Sequence, residues 1–341
     1  MNRPRTRSLL LIATLAALVA LPSAVVAKQP AGIGSTAAAR VFMPNPVASL
    51  DDQTLTDQKD ADYPALAPAY VNVTLTDLDG TGFLCGRWAC VVSETGNPAY
   101  EPDGTFLYDR HDDRFEQVMG YYWITESQKY IQSLGFGSRY PGINMDSQAI
   151  RINQWGVDNS YATDHPKDEM RMGKGGVDDA EDAEVLLHEY GHQMHFSQSA
   201  TFFNGGDGGA ISEGFGDYWA ANVVEILTDT PDPACIMDWD ATSYDPTAPH
   251  CLRRLDSNRS YLTDRRNQVH YDGTIWSQAL WEMRQAIGPT KANTAILLAQ
   301  FGQDGPTMPS LAADIVAQVQ TQYGDVDADA ARVAFEARDI L

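Results

Sequence analysis

Glu184-Val185-Leu186-Leu187-His188-Glu189-Tyr190-Gly191-His192-Gln193-Met194-His195 is the stretch whose reading decides the rest. It holds the pattern H-E-x-x-H. At about 100° per residue, positions i and i+4 of a helix lie roughly 40° apart, so His188 and His192 project from one face. Two neutral imidazoles so placed fill two sites of a tetrahedral Zn2+. Glu189 lies one residue round, near such an ion but not on it, where it can take a proton from an activated water. Val185, Leu186, Leu187, Tyr190 and Met194 supply the apolar surround of a buried helix. Chance would place this pattern in a chain of this length about once in a hundred sequences, so a third ligand has to decide.

His195 is the nearest candidate, but a straight helix cannot wrap three of its own side chains round one ion. It reads as a polar-face residue. Ala210-Ile211-Ser212-Glu213-Gly214-Phe215-Gly216-Asp217-Tyr218-Trp219 reads as a second helix after a glycine-rich turn over 204–209. Glu213 supplies the carboxylate ligand. Asp217, four residues on, points the same way and is placed to accept the N–H of a ligating imidazole.

These two motifs, with their spacing, resemble the thermolysin-like zinc peptidases (gluzincins), and the wording of both is most similar to the fungalysin branch. The resemblance runs over about residues 40–341. It implies an α+β, two-lobed fold, with a β-rich N-terminal lobe over 40–180 and a mainly α-helical C-terminal lobe over 181–341. The zinc helix lies between them. It implies one Zn2+ per chain, held by His188, His192 and Glu213, with Glu189 as general base. Asn159-Ser160-Tyr161-Ala162 resembles the strand that pairs with extended substrate. Leu252-Arg253 resembles the segment whose arginine holds the substrate carbonyl. Val269-His270-Tyr271-Asp272-Gly273-Thr274-Ile275-Trp276 resembles the family's V-H-x-x-G-x-x-W signature. By that likeness His270 stabilises the developing oxyanion, and Asp264 orients it. No tyrosine lies within 193–212 to act as a second oxyanion donor, and Tyr271 is the substitute considered. The resemblance also implies a preference for bulky apolar side chains just after the cut.

Beyond these motifs, Arg3, Arg5 and Arg7 followed by the apolar run 9–21 read as a signal peptide over 1–27, cleaved before Lys28. Residues 28–39 read as a flexible arm, and the mature protein is expected to be secreted, extracellular or periplasmic. The formal net charge of −22 disfavours nucleic acid and anionic lipid as partners. Peptide or protein substrates and a monomeric state are expected. Four cysteines in an exported chain suggest two disulfides; three pairings are open, and the local ones, Cys85–Cys90 and Cys235–Cys251, are favoured. The acidic run Asp178, Asp179, Glu181, Asp182 and Glu184 either serves the helix dipole or adds Ca2+, with Asp182 or Glu184 as ligands.

Residues 71–76 and 88–92 read as a hairpin. Residues 115–134 read as an amphipathic helix, 153–162 and 169–173 as short strands, and 325–336 as an acid-capped helix whose sixth position, Ala330, does not fit an EF-hand. His111, His165 and His250 read as surface residues. Two other functions share the zinc motif. An aminopeptidase needs an acidic site for a free amine, and the G-x-M-E-N segment is absent. A non-catalytic zinc-binding or adhesion protein has no use for Glu189, Asp217 and His270 together.

Overall fold

A computed structural model describes residues 34–92, 96–199 and 207–341. The expected signal peptide, the start of the arm and residues 204–206 of the glycine-rich turn therefore lie outside the described residues. Strand β1 (Ser35–Phe42) alternates exposed Thr36 and Ala38 with buried Ala37, Ala39 and Val41, the mark of a half-buried strand. Part of the arm is thus a strand, because this alternation gives residues 35–39 a face to bury. Helix α1 (Pro46–Leu50) starts at Asn45, whose Oδ1 accepts the Ala48 N–H at 2.9 Å. Strand β2 (Tyr70–Leu78) runs antiparallel to β1, and β4 (Thr105–Phe106) runs parallel to β1 on its other side.

A second sheet has the order β3 (Ala89–Val91), β5 (Gln148–Arg151), β7 (Glu169–Arg171), β6 (Tyr161–Thr163). Its first three strands are parallel, and β6 is an antiparallel edge. The expected hairpin is therefore not formed: β2 pairs with β1 and β3 with β5. The Cys85–Cys90 disulfide closes a small loop at the start of β3, and Gly86 packs tightly on the Asp77 carbonyl, next to a bridge with Leu78 at the end of β2. Nor is 153–162 one strand; only Tyr161 and Ala162 of the proposed substrate stretch lie in β6, and Asn159 and Ser160 precede it.

Helix α2 (Arg114–Ser133) buries Phe115, Tyr121 and Trp123, and Trp123 Nε1 donates to the Phe42 carbonyl at 3.2 Å. It also fixes the helices that follow. Gln128 Oε1 accepts from Tyr190 at 2.7 Å on α3 (Ala183–Gln198), and Ser127 Oγ from Trp219 at 2.9 Å on α4 (Gly208–Leu227). Helix α3 is buried on almost every side, as a central helix must be when other elements cover it. Short β8 (Cys235–Ile236) and β9 (Arg253–Arg254) pair beside the Cys235–Cys251 disulfide. Helices α5 (Val269–Ile287), α6 (Pro289–Ala299), α7 (Met308–Tyr323) and α8 (Asp325–Glu336) complete the chain. One hydrophobic core runs through both halves, from Ala37 to Ile340. Among the described residues no helix is long and apolar enough to cross a membrane.

Candidate metal centre

Three helices meet at the centre with almost no side chains between them. A Cβ on Gly191 of α3 would lie 2.9 Å from the Gly216 Cα of α4. A Cβ on Gly214 would lie 2.2 Å from the Gly273 carbonyl of α5. Such distances are shorter than any side chain tolerates, so only glycine permits the crossings. The approach of α4 lays the His188 imidazole directly on Gly216, where a Cβ would be 2.7 Å from Nδ1.

The motif residues converge there. His188 Nε2 lies 3.2 Å from Glu213 Oε2, and His192 Nε2 lies 3.8 Å from Glu213 Oε1. One donor atom from each residue falls within 4.8 Å of the others. Donors about 2.0–2.1 Å from a tetrahedral Zn2+ stand roughly 3.3 Å from one another, so two imidazoles and a carboxylate at this spacing fit that ion. The outer atoms are also taken. Asp217 Oδ1 is 2.9 Å from His188 Nδ1, and Ser212 Oγ is 2.8 Å from His192 Nδ1, which leaves both Nε2 atoms facing inward.

The charges of the site follow from its burial. Burial opposes charge on His188, but Asp217 and Glu213 overcome it and lift the imidazole to about 10. Burial and the neighbouring His188 push His192 down to about 4, which keeps it neutral. Burial works against the Glu213 carboxylate, yet the three nearby imidazoles hold it down to about 2. Asp217 is held well below the usual carboxylate range against its burial, chiefly by Arg253. Glu189 differs: burial dominates and pushes it up to about 7. Its Oε2 is buried with no hydrogen-bond partner, and the Ala162 backbone hydrogen-bonds the carboxylate.

These groups line a cavity of about 310 Å3. Asn159, Ser160, Tyr161 and Ala162 form part of its wall, and β6 is held to α3 by a 3.2 Å bond from Gln193 to the Thr163 carbonyl. His270 stands at the mouth with its side chain half exposed and Nε2 3.3 Å from Glu213 Oε2. Arg253 lines the cavity too, while its Nε and Nη2 grip Asp217, each at 2.7 Å. Asp264 is elsewhere engaged. It accepts from the Ser260 N–H at 2.8 Å and from Thr263 Oγ1, and the group on His270 Nδ1 is Gln268, at 3.1 Å. A local turn satisfied Asp264 before it could reach the histidine.

Tyr271 does not line the cavity; Arg259 and Arg266 lie over its ring at 3.7 and 3.9 Å. Tyr161 and Tyr244 are the tyrosines that do. His195 is not on a polar face but fully buried, stacked on Phe215 and sharing Ser212 Oγ at 3.1 Å. His250 is buried as well, between the carbonyls of Asp245 and Gln53. Ser212, which holds both His192 and His195, escaped the sequence reading although it directly precedes Glu213.

No protein-family model matches this chain, and no curated protein resembles it in sequence. Solved structures do match, among them the precursor of protealysin, a metalloproteinase from Serratia proteamaculans. The two superpose with a TM-score of 0.53 at 12% identity, over 74% of this chain and 87% of that one. The fold is thermolysin-like. At that identity the likeness concerns the α+β fold alone.

Proposed function

We propose that this chain is a secreted zinc-dependent endopeptidase of the fungalysin kind. One observation carries the reading: His188, His192 and Glu213 present a zinc donor set in the same cavity as a buried Glu189, whose Oε2 has no hydrogen-bond partner, and an exposed imidazole, His270. Bound to that set, zinc supplies a Lewis acid and an acidified water at neutral pH. Glu189 takes the proton of the attacking water and passes it to the leaving amine, and its raised affinity for protons suits both steps. His270 donates to the developing oxyanion from the cavity mouth. Arg253 leaves Nη1 without a hydrogen bond among the described residues, free for a substrate carbonyl, while Asp217 fixes the rest of the guanidinium. Edge strand β6 offers backbone to an extended peptide.

Export is proposed from the N-terminal leader, and the two disulfides, Cys85–Cys90 and Cys235–Cys251, agree with an oxidising compartment. The substrate is a peptide or protein, the working form a monomer, and nucleic acid and membranes are not partners of so acidic a chain. A Ca2+ ion is proposed at Asp182, Glu184 and Asp238. All three are buried, their donor atoms lie within 4.8 Å of one another, and Asp238 Oδ1 has no hydrogen-bond partner.

The deciding experiment is casein hydrolysis by residues 28–341, with zinc stoichiometry on the same sample and Glu189→Gln beside it. The expected result is one zinc in both proteins and chelator-sensitive cleavage in the wild type alone. The loss of turnover in Glu189→Gln should be about 100-fold or more. One zinc without cleavage in either protein would leave a binding protein.

A further inference from the structure

One wall of the cavity is carboxylate rather than apolar. Asp179 and Asp240 line it beside Val185, Met237 and Leu252. Asp158 stands with them, so that one carboxylate oxygen of each lies within 4.8 Å of the others. Asp179 and Asp240 are 2% and 4% exposed, and Oδ1 of each is buried without a hydrogen-bond partner.

Two of the other oxygens are built in. Ser160 Oγ donates to Asp179 Oδ2, and the Tyr244 hydroxyl donates to Asp158 Oδ1 at 2.5 Å and to its carbonyl at 2.6 Å. Gly176 makes room for Asp158, since a Cβ there would lie 2.1 Å from its Oδ2. No lysine or arginine forms an ion pair with any of the three among the described residues. Arg253, the cation lining the same cavity, is bound to Asp217, and only its more distant charge is felt at Asp240.

Buried carboxylates without an ion-pair partner are costly. A partner that brings positive charge removes that cost. The cavity's lining says which kind. Val185, Met237 and Leu252 line the cavity together with Asp179 and Asp240, a mixture of apolar and acidic groups that matches a side chain with a methylene stem and a charged head.

We infer that Asp179, Asp240 and Asp158 form a specificity subsite for a lysine or arginine side chain next to the scissile bond, in place of the apolar preference implied by the family resemblance. The subsite rests on the proposed peptidase reading, and it differs from the metal centre in its residues. The amphipathic stem lies along Val185 and Leu252, and the ammonium or guanidinium meets the free Oδ1 atoms of Asp179 and Asp240. Discrimination of this type is strong because a neutral side chain leaves the buried acids unpaired.

The test is cleavage-site profiling on a mixed peptide library with zinc-loaded wild-type enzyme and Asp240→Asn. Wild-type cuts should concentrate at one flank beside lysine or arginine. The ratio of kcat/KM for a lysine peptide over its leucine counterpart should fall at least about tenfold in Asp240→Asn. Should that variant not fold, inhibition of the wild type by lysine-containing and leucine-containing dipeptides gives the same comparison, with the lysine compound expected to bind tighter. Cleavage without basic enrichment would overturn the subsite while leaving the peptidase standing. So would calcium at millimolar concentration binding to the wild type but not to Asp240→Asn and blocking the lysine peptide, since the carboxylates would then be a metal site. Absence of cleavage of every peptide by zinc-loaded protein would overturn the peptidase reading itself.

Discussion

The candidate zinc donor set could be proposed residue by residue because its members are related by helical spacing. His188 and His192 share a face at i and i+4, and so do Glu213 and Asp217, so each pair follows from local geometry. What spacing cannot show is which residues of separate elements meet. Gly216 is such a case: it looks like a mild defect in a helix, yet its missing side chain is where the His188 ring lies. Gly216→Ala should displace that imidazole and weaken zinc binding about 10- to 100-fold with helix content retained, as a competitive chelator titration would reveal. Asp264 failed for the converse reason, since a nearby turn could use its carboxylate just as well. Glu213→Ala should abolish measurable zinc retention through dialysis; full occupancy after dialysis would remove Glu213 from the donor set.

At the scale of elements, long periodic segments were read correctly, while short strands were found but their pairing and the extent of 153–162 were not. Helix α2 and helix α4 announce themselves by many buried positions, whereas the alternation in β2 and β3 marks a strand without saying which neighbour it pairs with. The loop closed by Cys235–Cys251 carries Asp238, one carboxylate of the proposed calcium group, and Asp240 and Tyr244 of the proposed subsite. Replacing both cysteines by serine should lower stability by about 3 kcal/mol on loop-closure grounds, measured by denaturant unfolding. Selectivity for lysine over leucine should drop with it, because the loop positions Asp240. Gly191→Ala, at the crossing of α3 and α4, is expected to cost about 1–3 kcal/mol in the same assay through overpacking.

Over the whole molecule, ions should govern stability as much as the core does. Zinc at a thousand times its Kd adds about 4 kcal/mol, so a chelator should lower Tm markedly, and zinc should restore it. Calcium should raise Tm further in wild type and not in Asp238→Asn; an equal shift in both would remove Asp238 from that site. The thermolysin-like arrangement itself was readable from two short motifs, while the acidic wall of the cleft was not, since Asp158, Asp179 and Asp240 come from three distant stretches. The contact of Gly191 with Gly216 and of Gly214 with Gly273 has a consequence for descent. A side chain at any of these four positions crowds its neighbours, so substitutions there carry a cost that most surrounding positions do not. A search keyed on H-E-x-G-H, E-G-x-G-D and a later helix glycine should therefore collect relatives that overall similarity passes over.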